Sequence, residues 1–262
     1  VLYLHFFVGF REIFYVLKQI DATQYIVFYS LAVVVSLLSM FFDSLAWHQT
    51  MKVLGIKIFF RRVFSFNWVG RFTDLLLPCE TICGEVTRAY LVHREVRSSF
   101  GAIAVSVVSA RLLNTMVTLA ALLGGSVSLV LNYQAAPQVL YAIAPLLAGT
   151  LVMIGVLLYL LLSKTVAAKL ANALIGTAKF ITRKRFNFDA YRYRLQEFLV
   201  SFNQGFKIFR ERPSFMLKPL VLSIIAWSFD FSIFFLVFFA LGIQNVPLDG
   251  LVVIYTIVVS LQ

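Results

Sequence analysis

Arginines and carboxylates sit in this chain inside stretches otherwise apolar enough for a bilayer. Residues 61–97 read RRVFSFNWVGRFTDLLLPCETICGEVTRAYLVHREVR. Runs 63–70, 75–77 and 89–92 are largely apolar, yet Arg71, Asp74, Glu80, Glu85 and Arg88 are set among them. An ionisable side chain at membrane depth costs about 2.5–3.5 kcal/mol on insertion scales, so it usually has a partner or a task. The planar guanidinium of arginine donates two parallel hydrogen bonds, a match for phosphate oxygens. Arg71, Arg88 and Arg111 are therefore candidates to line a hydrophilic cavity for a phosphate headgroup. Glu85 lies three residues before Arg88, on one helical face. It would position these arginines or meet a cationic or hydroxyl part of the headgroup. Asp230 is the one acid in the middle of a long apolar run, and Arg111 lies within another. Arg111 is expected to meet Asp230 or Glu85 across a helix bundle. Ion pairs that merely lock helices together are the alternative reading of the same residues.

These side chains need an unusual element to hold them. No continuous run of about 20 apolar residues fits within 61–97. Pro78 biases Leu77 away from helix, so a first helix should stop there. The expectation is a break over residues 78–84 and a second helix from Glu85, forming a re-entrant hairpin. Gly84 would stand at the second helix's N-terminus with Glu85 in its first turn, where the helix dipole favours an acid. The free N–H groups of that terminus would suit an anion. Asp74 and Pro78 are assigned structural or coupling roles, as is Asp230.

The pattern Pro78-x5-Gly84-Glu85-x2-Arg88-x-Tyr90-Leu91 resembles the lysylphosphatidylglycerol synthase transmembrane family, flippase-like proteins of the YbhN type. That family places an arginine in the next long helix about 26 residues after the Glu, often as Glu-Arg-x-x-Asp. Arg111 matches it, whereas Ala110 and Asn114 replace the two acids. Cys83 stands where a glycine is common. The order of spans extends the resemblance over most of the chain. It implies lipid transport, or service to lipid-linked chemistry, without fixing the lipid.

Composition limits the alternatives. Of 262 residues, 61% are hydrophobic and 13% charged, with mean hydropathy +0.89. Soluble domains carry about 25% charged residues, so an all-α polytopic membrane bundle is the expected fold class. The length accommodates a single membrane domain over residues 1–262 and no soluble catalytic domain. Net charge is +11. Because the basic residues cluster in connectors between apolar runs, anionic lipid headgroups rather than nucleic acid are the expected partners. Self-association is a further expected contact. Cys79, Cys83 and His93 lack a standard zinc spacing, so neither metal nor cofactor is expected. The chain begins with Val1 and stops within an apolar run, so both ends read as cut.

In chain order, residues 1–10 are too short to cross a bilayer and 11–21 form a short amphipathic connector. A span covers 22–42 and runs on to His48. Asp43 and His48 sit at its end, with Asp43 solvated or paired with Lys52. Further spans cover 99–131, 139–163 and 213–242, and another begins at Leu251. Gly124, Gly125, Ser126 and Ser128 offer close helix packing. The connector 164–218 holds twelve Lys or Arg against three acids. Leu195, Phe198, Leu199, Phe202, Phe206 and Phe209 recur at helical steps, as on a helix lying on the membrane surface or packed against the bundle. The positive-inside rule puts 52–71, 85–97 and 164–218 in the cytoplasm.

No HExxH, GxSxG or P-loop pattern is present, and no catalytic residue is assigned. The reading is a flippase-like transporter of an amphiphile with a phosphate headgroup in the cell membrane. Two alternatives stay open. One is a glycosyl- or aminoacyl-transferase-related protein acting on a lipid-linked substrate, with Glu85 or Asp230 as base. The other is a non-transporting membrane scaffold.

Overall fold

The computed structural model describes residues 21–77, 81–133, 211–243 and 248–260, with short pieces at 144–145, 148–149, 151–152, 155, 204–205 and 207–209. Among the described residues the chain is helical and contains no strand. The main helices are α1 (Ala22–Val53), α2 (Phe60–Leu76), α3 (Thr81–Val96), α4 (Phe100–Tyr133), α5 (Leu217–Ala240) and α6 (Leu248–Ser260). A 3-10 turn, Pro213–Met216, leads into α5. Expectations for residues 1–20, for Pro78, Cys79 and Glu80, for most of the span 139–163 and for most of the connector 164–218 lie outside the described residues.

Among the described residues three helices are long and apolar enough to cross a membrane: Ala22–Val53, Phe100–Ser128 and Ser214–Ala240. The Asp21 side chain caps the start of α1, accepting from the Thr23 N–H at 2.8 Å. With 32 residues at 1.5 Å each, α1 reaches about 48 Å, well beyond a hydrocarbon core of about 30 Å. It continues to Val53, past the expected end at His48, so Asp43 lies ten residues inside the helix. Ile26, Val27, Leu31, Val34 and Leu38 stay exposed along it. Such a face needs lipid or another apolar surface.

α5 runs antiparallel to α1. Gln24 Nε2 donates to the Phe239 carbonyl at 2.9 Å, and Phe42 stacks on Phe229. α4 is also antiparallel to α1: Trp47 Nε1 donates to Ser106 Oγ at 3.1 Å, and Asn114 reaches Asp43. The bundle closes through α4 and α6. A Cβ on Gly125 would come within 2.8 Å of Val252, so the glycine lets these helices approach, whereas Gly124 faces open space. At the described end of the basic connector, Phe209 is buried and Gly205 lies against Val105. That end packs on the bundle.

α2 and α3 form an antiparallel hairpin beside α1 and α4. Its base is tied by Arg62 and Glu95 at 3.4 Å. There Trp47, Met51, Ile56, Val63, Ala89, Val92, Ile103 and Val107 make a buried apolar cluster. α2 stops at Leu76, as the proline after Leu77 requires. The second helix differs from expectation. It starts at Thr81, so Gly84 and Glu85 lie inside it, and its first turn holds no acid. Gly84 is a crossing point rather than a break. A Cβ there would collide with the Asp74 carboxylate and the Gly70 carbonyl. Gly70 is equally constrained, facing the Arg88 side chain and the Gly84 carbonyl.

Candidate functional site

Polar side chains from four helices meet at the level of Asp43. On α1, Asp43 projects toward α2 from within the helix Ala22–Val53. Asn67, fully buried on α2, donates through Nδ2 to Asp43 Oδ2 at 3.0 Å and to Ser44 Oγ at 2.8 Å. Ser44 in turn donates to the Met40 carbonyl at 2.7 Å. One turn beyond Asn67 on the same helix, Arg71 Nη2 reaches Asp43 Oδ2 at 3.4 Å. From α4, Asn114 Nδ2 approaches Asp43 Oδ1 at 3.5 Å. Asp43 thereby joins three helices through one carboxylate.

Arg88 on α3 completes the connection. Its Nη1 donates to Asn67 Oδ1 at 2.8 Å. The Asn67 amide thus stands between acid and guanidinium, with its nitrogen toward Asp43 and its oxygen toward Arg88. The Arg88 guanidinium lies 5.6 Å from the centre of the Trp47 ring, within cation–π range. Glu85 Oε1 is 3.9 Å from Arg88 Nη2 and 3.8 Å from Arg111 Nε of α4. The Arg88 Nε is buried and has no hydrogen-bond partner among the described residues. Arg71 and Arg111 are about half exposed, with side chains 45% and 48% accessible.

The acid at the start of α3 is Asp74, supplied from α2. Its Oδ1 accepts from the Gly84 N–H at 2.6 Å. A carboxylate there complements the positive end of the α3 dipole. It also occupies the N–H that the sequence offered to an external anion. Arg111 meets Glu85, one of its two expected partners. Asp230 on α5 lies instead in the electrostatic field of Arg71 and Asp43, next to Ser39 and Tyr255.

Sequence reasoning missed Asp43, Asn67, Trp47 and Asn114. Asp43 is not partnered by Lys52; it points to Asn67, Arg71 and Asn114. One signal was available. Asp43 is the only acid between Ala22 and Val53, and it lies in mid-helix once that helix is seen to extend past His48. Among the described residues no group of three or more His, Cys, Asp or Glu side chains could hold a metal ion.

The profile of a family described as the lysylphosphatidylglycerol synthase TM region matches residues 1–261. A relative described as a UPF0104 membrane protein, from Methanothermobacter thermautotrophicus, is 22% identical over 216 residues, or 82% of this chain. The chain spans 63% of that relative's length. No solved structure matches.

Proposed function

Since the chain belongs to the lysylphosphatidylglycerol synthase TM-region family, we propose that this membrane protein is a flippase-like transporter that binds an amphiphile with a phosphate headgroup and moves it between leaflets. The α2–α3 hairpin enters and leaves on the side where α1 ends and α4 begins. In this reading it is re-entrant, that side is cytoplasmic, and the membrane is the cell membrane. Arg71, Arg88 and Arg111 meet the headgroup, Glu85 holds Arg88 and Arg111 in place, and the Gly84 crossing sets the depth of the hairpin.

The observation that carries this reading is the buried Nε of Arg88, a donor without an acceptor among the described residues. Arg88 lies beside Asn67, Asp43 and Ser44, which are hydrogen-bonded to one another through Asn67, and its own Nη1 is bonded to Asn67. Buried polar groups are nearly always satisfied, so an orphan donor calls for an acceptor from outside the chain. Half-exposed Arg71 lies next to it in the network, and a phosphate oxygen would satisfy both. The hairpin matters for the same reason. Broken helices within a bundle are where transporters expose polar groups at membrane depth.

A second reading has its own support. The Asp43 carboxylate accepts from α2 twice and from α4 once, as a helix lock in a non-transporting scaffold would. Movement of fluorescent phospholipids in reconstituted vesicles separates the two. Under the transporter reading the parent moves lipid and Arg88→Ala, Glu85→Ala and Arg111→Ala lose most of the rate while remaining folded. A folded Arg88→Ala variant moving lipid at the parent rate would falsify the assignment.

A further inference from the structure

Apart from the hairpin site, we propose that the turn between α1 and α2 is a binding site for the headgroup of an anionic phospholipid in the adjacent leaflet. The turn follows directly on the membrane-length helix Ala22–Val53. Lys52, Gly55, Ile56, Lys57, Ile58 and Phe59 line an open cleft of about 450 Å3 there. That volume falls in the range of small-molecule sites, roughly 300–1,000 Å3.

The shape is fixed by bonds within the turn. Gly55 adopts φ +75°, a backbone conformation that favours glycine. The Ile56 N–H returns to the Met51 carbonyl at 3.0 Å, and the Ile56 side chain is buried. At the far end His48 Nε2 donates to the Ile58 carbonyl at 3.0 Å. A cleft held this way loses little freedom when a ligand enters.

Charge selects the ligand. Lys52, Lys57, Arg61 and Arg62 fall within eleven residues, and no acid occurs between Asp43 and Asp74. Arg62 is paired with Glu95. Lys52, Lys57 and Arg61 have no ion pair among the described residues. Phe59 adds an apolar element, being 85% exposed beside Lys57. An aromatic ring and lysine ammoniums side by side suit the boundary where acyl chains give way to phosphates. There the ring enters the apolar layer and the lysines reach the headgroups. A free phosphate ion would use the lysines but leave Phe59 in water.

The test places a reporter in the cleft. The full chain carrying Phe59→Trp is reconstituted in phosphatidylcholine vesicles doped with brominated phosphatidylglycerol or brominated phosphatidylcholine. Quenching is read as the difference from the parent chain. The proposal expects stronger quenching by the anionic lipid, weakened by salt. Adding Lys52→Gln and Lys57→Gln should raise the half-quenching concentration of phosphatidylglycerol about 25-fold, some fivefold per lysine. Lys52→Arg with Lys57→Arg, which keeps the charge, should restore it. Equal quenching by the two lipids overturns the proposal, as does an unchanged concentration in the glutamine variant with intact helical structure. Equal competition by inorganic phosphate would also overturn it, in favour of a free-anion site.

Discussion

Asn67 decides how the polar centre is wired, because an amide has distinct donor and acceptor ends. Its nitrogen serves Asp43 and Ser44, and its oxygen serves Arg88. Asn67→Asp has nearly the same shape but offers only acceptors when ionised. The Arg88 bond survives, while two carboxylates then face each other across about 3 Å. The loss should be about 1–3 kcal/mol, as for other buried bonds broken on one side. Combining it with Asp43→Asn moves the donor to α1 and the acceptor to α2, which should recover part of the loss. Unfolding in detergent of both single variants and the double variant gives the coupling directly. Purely additive losses would mean that the amide is not the bridge. Little of this could be read from sequence. Arg88, Arg111 and Glu85 announce themselves as charges in apolar surroundings. Asn67 is uncharged, and the importance of Asp43 depends on where α1 ends.

At the scale of elements, the α2–α3 hairpin depends on two glycines meeting at its crossing. Gly84 touches the Asp74 carboxylate and the Gly70 backbone, and Gly70 touches the Arg88 side chain. Gly84→Ala must displace Asp74, which would lose its bond to the Gly84 N–H, and push α3 away from α2. The expected cost is about 1–3 kcal/mol, as for overpacked interiors. Lipid movement should fall too, because Glu85 and Arg88 ride on the displaced helix. Gly124→Ala is the control. It is also in a helix but has nothing within 4 Å of the added carbon. It should be neutral or stabilise by up to about 1 kcal/mol, the difference in helix propensity. Equal melting temperatures for the two variants would remove the crossing from the account. Here the sequence was half legible. Pro78 marks the end of α2 through a local steric rule, which needs no tertiary knowledge. Gly84 looked like a break because a glycine beside a proline turn commonly is one. Its packing role becomes visible only when the partner helix is in place.

At the scale of the molecule, the long apolar helices among the described residues enclose a polar zone whose charges do not cancel. Among the described residues that zone holds four acids, Asp43, Asp74, Glu85 and Asp230, against three arginines, Arg71, Arg88 and Arg111. Fully ionised, it carries four negatives and three positives, a net −1. The chain as a whole carries +11, so the described polar zone has the opposite sign to the protein's overall charge. A phosphate headgroup entering would share these arginines with the carboxylates of Asp43 and Glu85. Entry adds negative charge to the zone, and uptake of a proton by one of its acids would offset it. Linkage gives the sign. If the bound state holds one more proton than the free state, affinity rises as pH falls, by at most about tenfold per pH unit. Binding of an anionic lipid should accordingly strengthen from alkaline to mildly acidic buffer. Asp230→Asn removes one negative charge from the zone, giving three against three. That variant should bind the lipid more tightly at alkaline pH and show a flatter pH profile. The measurement is a lipid-binding titration of parent and variant at several pH values, with helical content followed in parallel. Affinity of the parent that is independent of pH, or that rises with pH, would disprove proton-coupled entry of an anionic headgroup.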